Sequence, residues 1–317
     1  MPDLFIKRLN RGQGKELILY SQKDNDYKVF EGLPSGVQLF SLFASYKELI
    51  DLLLEICASG EGLSNYLARN SQVFDSVLDG DFFKHIEFDE IFSNFVNTIS
   101  NNESDYEIRL NSIRRIYSEL HFRIGVQFLR GILNSEQAAF HYSNLADHIL
   151  NVVWFFCCRD FELTHGSMPQ NGAILIVLGS LGARKMSANS DLDLILIYDA
   201  KNDIISNGKI PLEVPVYYSS LTKKFLTALN AKMKHGELYR VDMRLRPSGN
   251  KGPVATSFNS YKKYQMNDAW IWERLAFSKA RVICGHQELQ VKFESLRIQI
   301  LNKRLNKENV LQEISSM

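Results

Sequence analysis

Near residue 166 the spacing of apolar side chains changes, and that change restricts the fold more than any other feature of the sequence. Before it, apolar residues recur every three or four positions: Leu39, Phe43, Ile50, Leu53, Leu54 and Cys57 in one stretch, and Ile113, Ile116, Tyr117, Leu120, Ile124, Phe128 and Leu129 in another. Recurrence at that interval gathers them on one face of an α-helix. A third long helix is expected from Ser135, read as its N-cap, through Leu145, Ile149, Val153 and Trp154 to about residue 163. His165, Gly166, Ser167, Pro169, Asn171 and Gly172 then read as a linker, and Ile174-Leu175-Ile176-Val177-Leu178 follows as the first strongly β-like run. The fold class is therefore α+β, a helical bundle followed by a small mixed-sheet domain.

Within the second part, Leu192 to Tyr198 is apolar on both faces apart from its acidic beginning, as befits a central strand covered on each side. After a loop bearing Pro211 and Pro215, a helix carrying Tyr218, Leu221, Phe225, Leu229 and Met233 leads to a third strand, Leu238 to Leu245. Beyond Pro247 the pattern is helical again, through Tyr261, Tyr264, Trp270 and Trp272 and then Leu289, Phe293, Leu296, Ile300 and Leu301. Four segments result: 1–32, where Arg11, Gly12, Gly14, Asp24 and Asn25 leave only weak periodicity and no clear structure; a helical domain over 33–165; the mixed-sheet domain over 166–286; and a last helical segment over 287–317.

Composition narrows the function classes. The 317 residues are 45% hydrophobic and 23% charged, with 37 basic against 36 acidic side chains. That supplies a core, but near neutrality leaves no global field to draw the chain onto nucleic acid or an anionic membrane. The longest apolar run, Val152 to Cys158, falls far short of the roughly 18 residues a spanning helix needs, and Asp3 beside Met1 spoils a signal peptide. A cytoplasmic protein is expected, with no membrane and no nucleic-acid partner. Cys57, Cys157, Cys158 and Cys284 are too sparse for a disulfide scaffold and too scattered for a zinc cluster, so they read as reduced core residues.

The chemistry concentrates between the first two strands of the mixed-sheet domain. One ends in Gly179-Ser180, and the next opens with Asp191-Leu192-Asp193. Alternation along a strand turns Asp191 and Asp193 to the same face. Two like charges side by side repel, so a cation between them is the usual answer, and a divalent metal that also accepts phosphate oxygens suits such a pair. Gly179 allows close backbone approach, and amides of a short following helix, with the Ser180 hydroxyl, would face an anion. On the third strand, Tyr239, Val241, Met243 and Leu245 share one face, while Arg240, Asp242, Arg244 and Arg246 share the other. Alone this could be a solvated face. Beside Asp191 and Asp193, however, Asp242 becomes a third carboxylate and the arginines become donors to phosphate.

Gly-Ser followed by Asp-x-Asp, with a third Asp on a later strand, resembles the DNA polymerase β-like nucleotidyltransferase superfamily. More specifically, Val241 to Gly249, Gly252-Pro253-Val254, and Asn267-Asp268-Ala269-Trp270-Ile271-Trp272-Glu273-Arg274 resemble the glutamine synthetase adenylyltransferase family. In the helical half, Leu67-Ala68-Arg69-Asn70 and Ser143-Asn144-Leu145-Ala146-Asp147 agree, and the likeness covers nearly all of the chain after about Leu33. Members are long bifunctional enzymes with two such catalytic domains, one removing AMP from glutamine synthetase and one attaching it; Arg-Pro-Ser-Gly with Ala-Trp-x-Trp-Glu is similar to the attaching copy. The resemblance implies a nucleotidyltransferase catalytic domain at 166–286, the start of a C-terminal helical domain over 287–317, ATP as substrate, Mg2+ as cofactor, glutamine synthetase as protein substrate and a PII-type signal protein as regulator. By the same match Asp191 and Asp193 would bind both magnesium ions and Asp242 the one that helps ionise the acceptor. Gly179 and Ser180 would grip the triphosphate, and Arg244 and Arg246 would bind phosphate. Glu273 is either an orienting group or half of a helix-surface salt bridge. At least one of Trp270 and Trp272, and both Tyr261 and Tyr264, are expected in the core. One departure stands out: Gly182-Ala183-Arg184-Lys185 has Lys185 where the family usually has Glu. Two alternatives stay open, a sister nucleotidyltransferase that uridylylates a signalling protein or extends RNA, and a non-catalytic module that docks its partner through helices.

Overall fold

The computed structural model describes the backbone of 4–11, 14–21 and 28–30, then Leu52, Glu55, Ile56 and Leu63, and then 80–101, 105–167, 172–201, 203–247, 249 and 252–302. Leu39, Phe43, Ile50, Leu53, Leu54 and Cys57 lie outside the described residues, as do Leu67 to Asn70, Pro169, Asn171 and Ser248. Leu52 and Ile56, within that expected helix, are helical and almost fully buried.

At the N-terminus, where weak periodicity left the structure open, β1 (Leu4–Arg11), β2 (Gly14–Ser21) and β3 (Lys28–Phe30) form an antiparallel sheet in that order. The chain divides into two units, Met1–Ile86 with Ser118–Ala138, and Glu87–Tyr117 with Ala139–Met317. In the first, Ile86, Phe122, Ile124 and Val126 are buried together with Leu120 and Leu133. Arg123 and Gln127 both donate to the Phe82 carbonyl, at 2.7 and 2.8 Å, satisfying an end of the 3-10 turn Gly80–Phe83 that has no internal partner.

Of three long helices, α1 (Phe88–Asn101), α2 (Tyr106–Leu129) and α3 (Ser135–His165), the last two match the expected ones, whereas α1 lies where the periodicity gave none. Ser135 is the first helical residue of α3 rather than its cap. Asn134 accepts from the Gln137 amide through Oδ1 while Gln137 Oε1 accepts from the Asn134 amide, each at 2.9 Å, a reciprocal capping box.

The compositional change at Gly166 falls within the second unit. Its elements run β4 (Ala173–Val177), α4 (Gly179–Gly182), β5 (Leu192–Tyr198), α5 (Val214–Asn230), β6 (Val241–Asp242), β7 (Ala255–Ser257), α6 (Phe258–Asn267), α7 (Ile271–Ala276), β8 (Arg281–Gly285) and α8 (Gln287–Asn302). The mixed sheet has the order β6-β5-β4-β8, with β7 also paired to β5. The β4 strand runs antiparallel to β5 and β8, whereas β6 and β7 lie parallel to β5 in succession, at Leu192–Asp193 and Leu196–Tyr198. Every residue of β4, and all but Asp193 of β5, is buried, the burial on both faces that their unbroken apolar runs require.

Ile174, Ile176, Leu178, Ile195 and Ile197 pack with Tyr261, Phe277, Leu289, Phe293, Leu296 and Ile300. Helix α8, expected to begin a further helical domain, thus contributes four side chains to the core of this sheet. The third strand is much shorter than Leu238 to Leu245. Pairing stops at Asp242 because its own carboxylate takes the Arg244 amide at 2.8 Å, turning the chain out of the ladder. Cys157 is buried, Cys158 and Cys284 are half-buried, all three are free thiols, and burial pushes Cys157 up to about 12. Among the described residues no helix is long and apolar enough to cross a membrane.

Candidate active site

At the end of β4 the Leu178 amide donates to the Asp193 carbonyl at 3.0 Å, and the chain then turns sharply through Gly179 at φ +55°. A Cβ built on Gly179 would fall on the Asp193 carboxylate, so only glycine lets the backbone come this close to the acid. One helical turn follows, closed by Gly182 N–H to Leu178 O at 2.7 Å and Ala183 N–H to Gly179 O at 3.1 Å. Ser180 stands half-exposed on it.

The carboxylates meet across β5 and β6. Asp193 and Asp242 are direct partners in the parallel register, so their side chains leave the sheet on the same side. Asp191 lies just ahead of β5, exposed. Burial first, then the charges of Asp242 and Asp191, raise the Asp193 carboxyl above the ordinary carboxylate range. Asp242 is shifted the other way, chiefly by the Arg244 side chain, whose Nε and Nη2 lie 2.7 and 2.5 Å from its Oδ2. The register bears out the shared side expected for Asp193 and Asp242, but sequence reasoning did not anticipate that Arg244 would clasp Asp242.

This donor set suits magnesium. Its ligands are hard oxygens, and Asp193 carries negative charge that its neighbours aggravate. Among the described residues no group of three His, Cys, Asp or Glu side chains closes around a point by itself.

Other expected residues sit differently. Arg246 was placed on the open face with Asp242, but it is 8% exposed and turned inward, donating through Nη1 to the Met243 carbonyl at 2.7 Å. The strand that would have pointed it outward has ended by then. Glu273 is neither a surface ion pair nor free: it is buried, accepts from the Trp270 amide and the Tyr264 hydroxyl at 2.9 Å each, and caps α7. Trp270 and Trp272 are 58% and 37% exposed, so neither fills the core, whereas Tyr261 is fully buried.

Sequence reasoning assigned no role to the residues that brace the turn. Ser143 Oγ accepts from the Met186 amide at 3.2 Å, Asn144 Oδ1 from Arg184 Nη1 at 2.9 Å, and Asp147 Oδ1 from Arg281 Nη2 at 2.7 Å. The available signal was the Ser143-to-Asp147 stretch already noted for its family likeness, in which Asp147 lies one turn on from both Ser143 and Asn144. Arg281 Nη2 also donates to the Leu181 carbonyl at 3.0 Å.

The turn, the acids and their supports fall inside a stretch that has known relatives. The profile described as glutamate-ammonia ligase adenylyltransferase matches residues 50–296. The chain belongs to that family. It is 36% identical over 287 residues to a bifunctional glutamine synthetase adenylyltransferase/adenylyl-removing enzyme of Agrobacterium fabrum, covering 90% of this chain and 29% of that protein. The Rhizobium meliloti and Brucella suis proteins of the same description are 34% and 38% identical, over 90% and 81% of the chain and 29% and 26% of their own lengths. The chain therefore spans under a third of the adenylyltransferases it matches.

Proposed function

We propose that this chain is an adenylyltransferase module that moves AMP from ATP onto a tyrosine hydroxyl of glutamine synthetase. The observation that carries the reading is the parallel register of Asp193 with Asp242 directly beside the Gly179 turn, in a member of this family. The attaching direction rests on the Arg-Pro-Ser-Gly and Ala-Trp-x-Trp-Glu stretches at 246–249 and 269–273.

The acceptor oxygen attacks the α-phosphorus in line. A new P–O bond to tyrosine forms, the bond to the β-phosphate oxygen breaks, the hydroxyl proton is lost and pyrophosphate leaves. Asp191 and Asp193 would hold two magnesium ions between them, and Asp242 would share the one on the acceptor side. Bound there, the ions neutralise phosphate charge and favour ionisation of the acceptor. Gly179 and Ser180 present the turn to the triphosphate. Of the two arginines expected at phosphate, Arg244 has the exposed side chain and can pass from Asp242 to the β- and γ-oxygens, while Arg246 braces the loop beneath. Nitrogen-responsive control through a PII-type protein and a cytoplasmic setting complete the reading.

Incubation with α-labelled ATP, magnesium and purified glutamine synthetase tests it. Label is expected on glutamine synthetase tyrosine and is lost in Asp191→Asn and Asp193→Asn; undiminished labelling by both variants overturns the proposal.

A further inference from the structure

A single helical turn is too short to persist through its own hydrogen bonds, so something outside it has to hold Gly179–Gly182 in place. Two arginines reach it from different directions. Arg281 stands opposite Val177 in the β4–β8 ladder, so its backbone is fixed at the strand end from which the turn springs. Its Nη2 spans from the Leu181 carbonyl, which also accepts the Arg184 amide at 3.0 Å, to Asp147, tying the turn to α3. Arg184 follows the turn in the left-handed region, φ +55°, a conformation that a side chain keeps only when its surroundings impose it. The surroundings are visible: its guanidinium binds Asn144, stacks over the Phe140 ring at 5.7 Å, and lies 3.6 Å from Asp147 Oδ2. On the opposite flank Gly182 touches the Lys279 carbonyl so closely that a Cβ has no room.

One carboxylate thus serves both arginines, Oδ1 toward Arg281 and Oδ2 toward Arg184. Asp147 is largely sheltered from solvent, which strengthens these bonds relative to surface pairs. Its carboxylate bonds to these arginines and not to Asp191, Asp193 or Asp242.

We infer that Asp147 is a positioning residue: through Arg281 and Arg184 it sets the pose of residues 179–186 over Asp193, and hence the affinity for the nucleotide. This rests on the reading of the turn as a triphosphate site. Loss of the bridge releases the turn without altering the acids, so it weakens ATP binding more than it slows the chemical step.

Two measurements on the full chain decide the matter. In Asp147→Asn, hydrogen exchange of the 181–186 amides is expected to quicken by about tenfold while β5 is unchanged. The KM for magnesium-ATP should rise by about tenfold with kcat held within about threefold. Asp147→Glu should recover most of that loss, and Arg281→Met combined with Asp147→Asn should cost less than the sum of the two single changes, because both cut the Arg281–Asp147 contact while each also cuts one of its own. Unchanged exchange at 181–186, or a fall in kcat at constant KM, overturns the inference. If Asp147→Asn does not fold, Arg281→Lys, which keeps the charge but loses the forked donor, is judged on the same two readouts. Should the native chain transfer no label from ATP at all, the adenylyl-transfer reading fails, and the exchange measurement alone still decides whether Asp147 holds the turn.

Discussion

Asp193 illustrates how far a catalytic arrangement departs from what stability alone would favour. Burial and the neighbouring Asp242 and Asp191 raise its carboxyl pKa, so the folded state binds a proton there more readily than the unfolded chain does. At neutral pH the ionised group therefore opposes folding. The penalty diminishes as pH falls through the folded pKa and is gone below the unfolded one, where both states are protonated. Asp193→Asn, which removes the charge at nearly constant shape, should abolish adenylyl transfer yet raise the melting temperature at pH 7 in the presence of a chelator. The gain should shrink on acidification; a lower melting temperature for the variant at pH 7 would contradict this account. At Glu273 the carboxyl is raised as well, but by burial and not by neighbouring acids. The Trp270 amide and the Tyr264 hydroxyl hold its charged form, and its purpose is to start α7.

Among the elements, α5 shows how a buried charge can be kept without a carboxylate. Arg114 of α2 is completely buried and donates to the carbonyls of Ala228, Ala231, Gly236 and Leu110 at 2.7, 2.8, 2.9 and 3.1 Å. Three of these lie at or beyond the C-terminal end of α5, where unpaired carbonyls and the helix dipole concentrate negative potential. The same guanidinium fixes the start of the segment that leads through Tyr239 to Asp242. Arg114→Met would take the side-chain donor from the Ala228 and Ala231 carbonyls at the end of α5, and should lower stability to denaturant by about 3 kcal/mol. Arg114→Lys should recover only part of it, since an ammonium cannot fork among four acceptors. A loss below about 1 kcal/mol, the size of one ordinary hydrogen bond, would show that water reaches these carbonyls.

For the second unit as a whole, the sheet is the rigid reference against which the site is built. Residues 174–177 and 194–197 are fully buried and paired on both sides of the β4–β5 ladder. Their amides should exchange slowest in the unit, whereas Val241 and Asp242, held by a two-residue strand, should open far more easily. Comparable exchange in β6 and β4 would mean that Asp242 is anchored as firmly as the core, and that Arg244 has little freedom to leave it. This gradient suits the proposed chemistry: Asp193 stands on the immobile strand, and Asp242 with Arg244 on the yielding one.

The local pattern of the chain was sufficient for α2 and α3, the two apolar strands, and the shared facing of Asp193 and Asp242, because each follows from periodicity over a few residues and from the alternation of a strand. It was also sufficient for the family, whose motifs are contiguous. Contacts between distant segments were beyond its reach. The early end of β6 depends on an Asp242 side chain choosing the Arg244 amide over the ladder, and the inward turn of Arg246 follows from that choice. The bridge from Asp147 to Arg281 spans 134 positions, and the anchoring of Arg114 on the end of α5 more than a hundred. Side chains of this kind read as ordinary surface charges along the sequence; only when the chain is folded do carbonyls and carboxylates from elsewhere surround them, and the cost of leaving such groups unpaired away from water decides where they go.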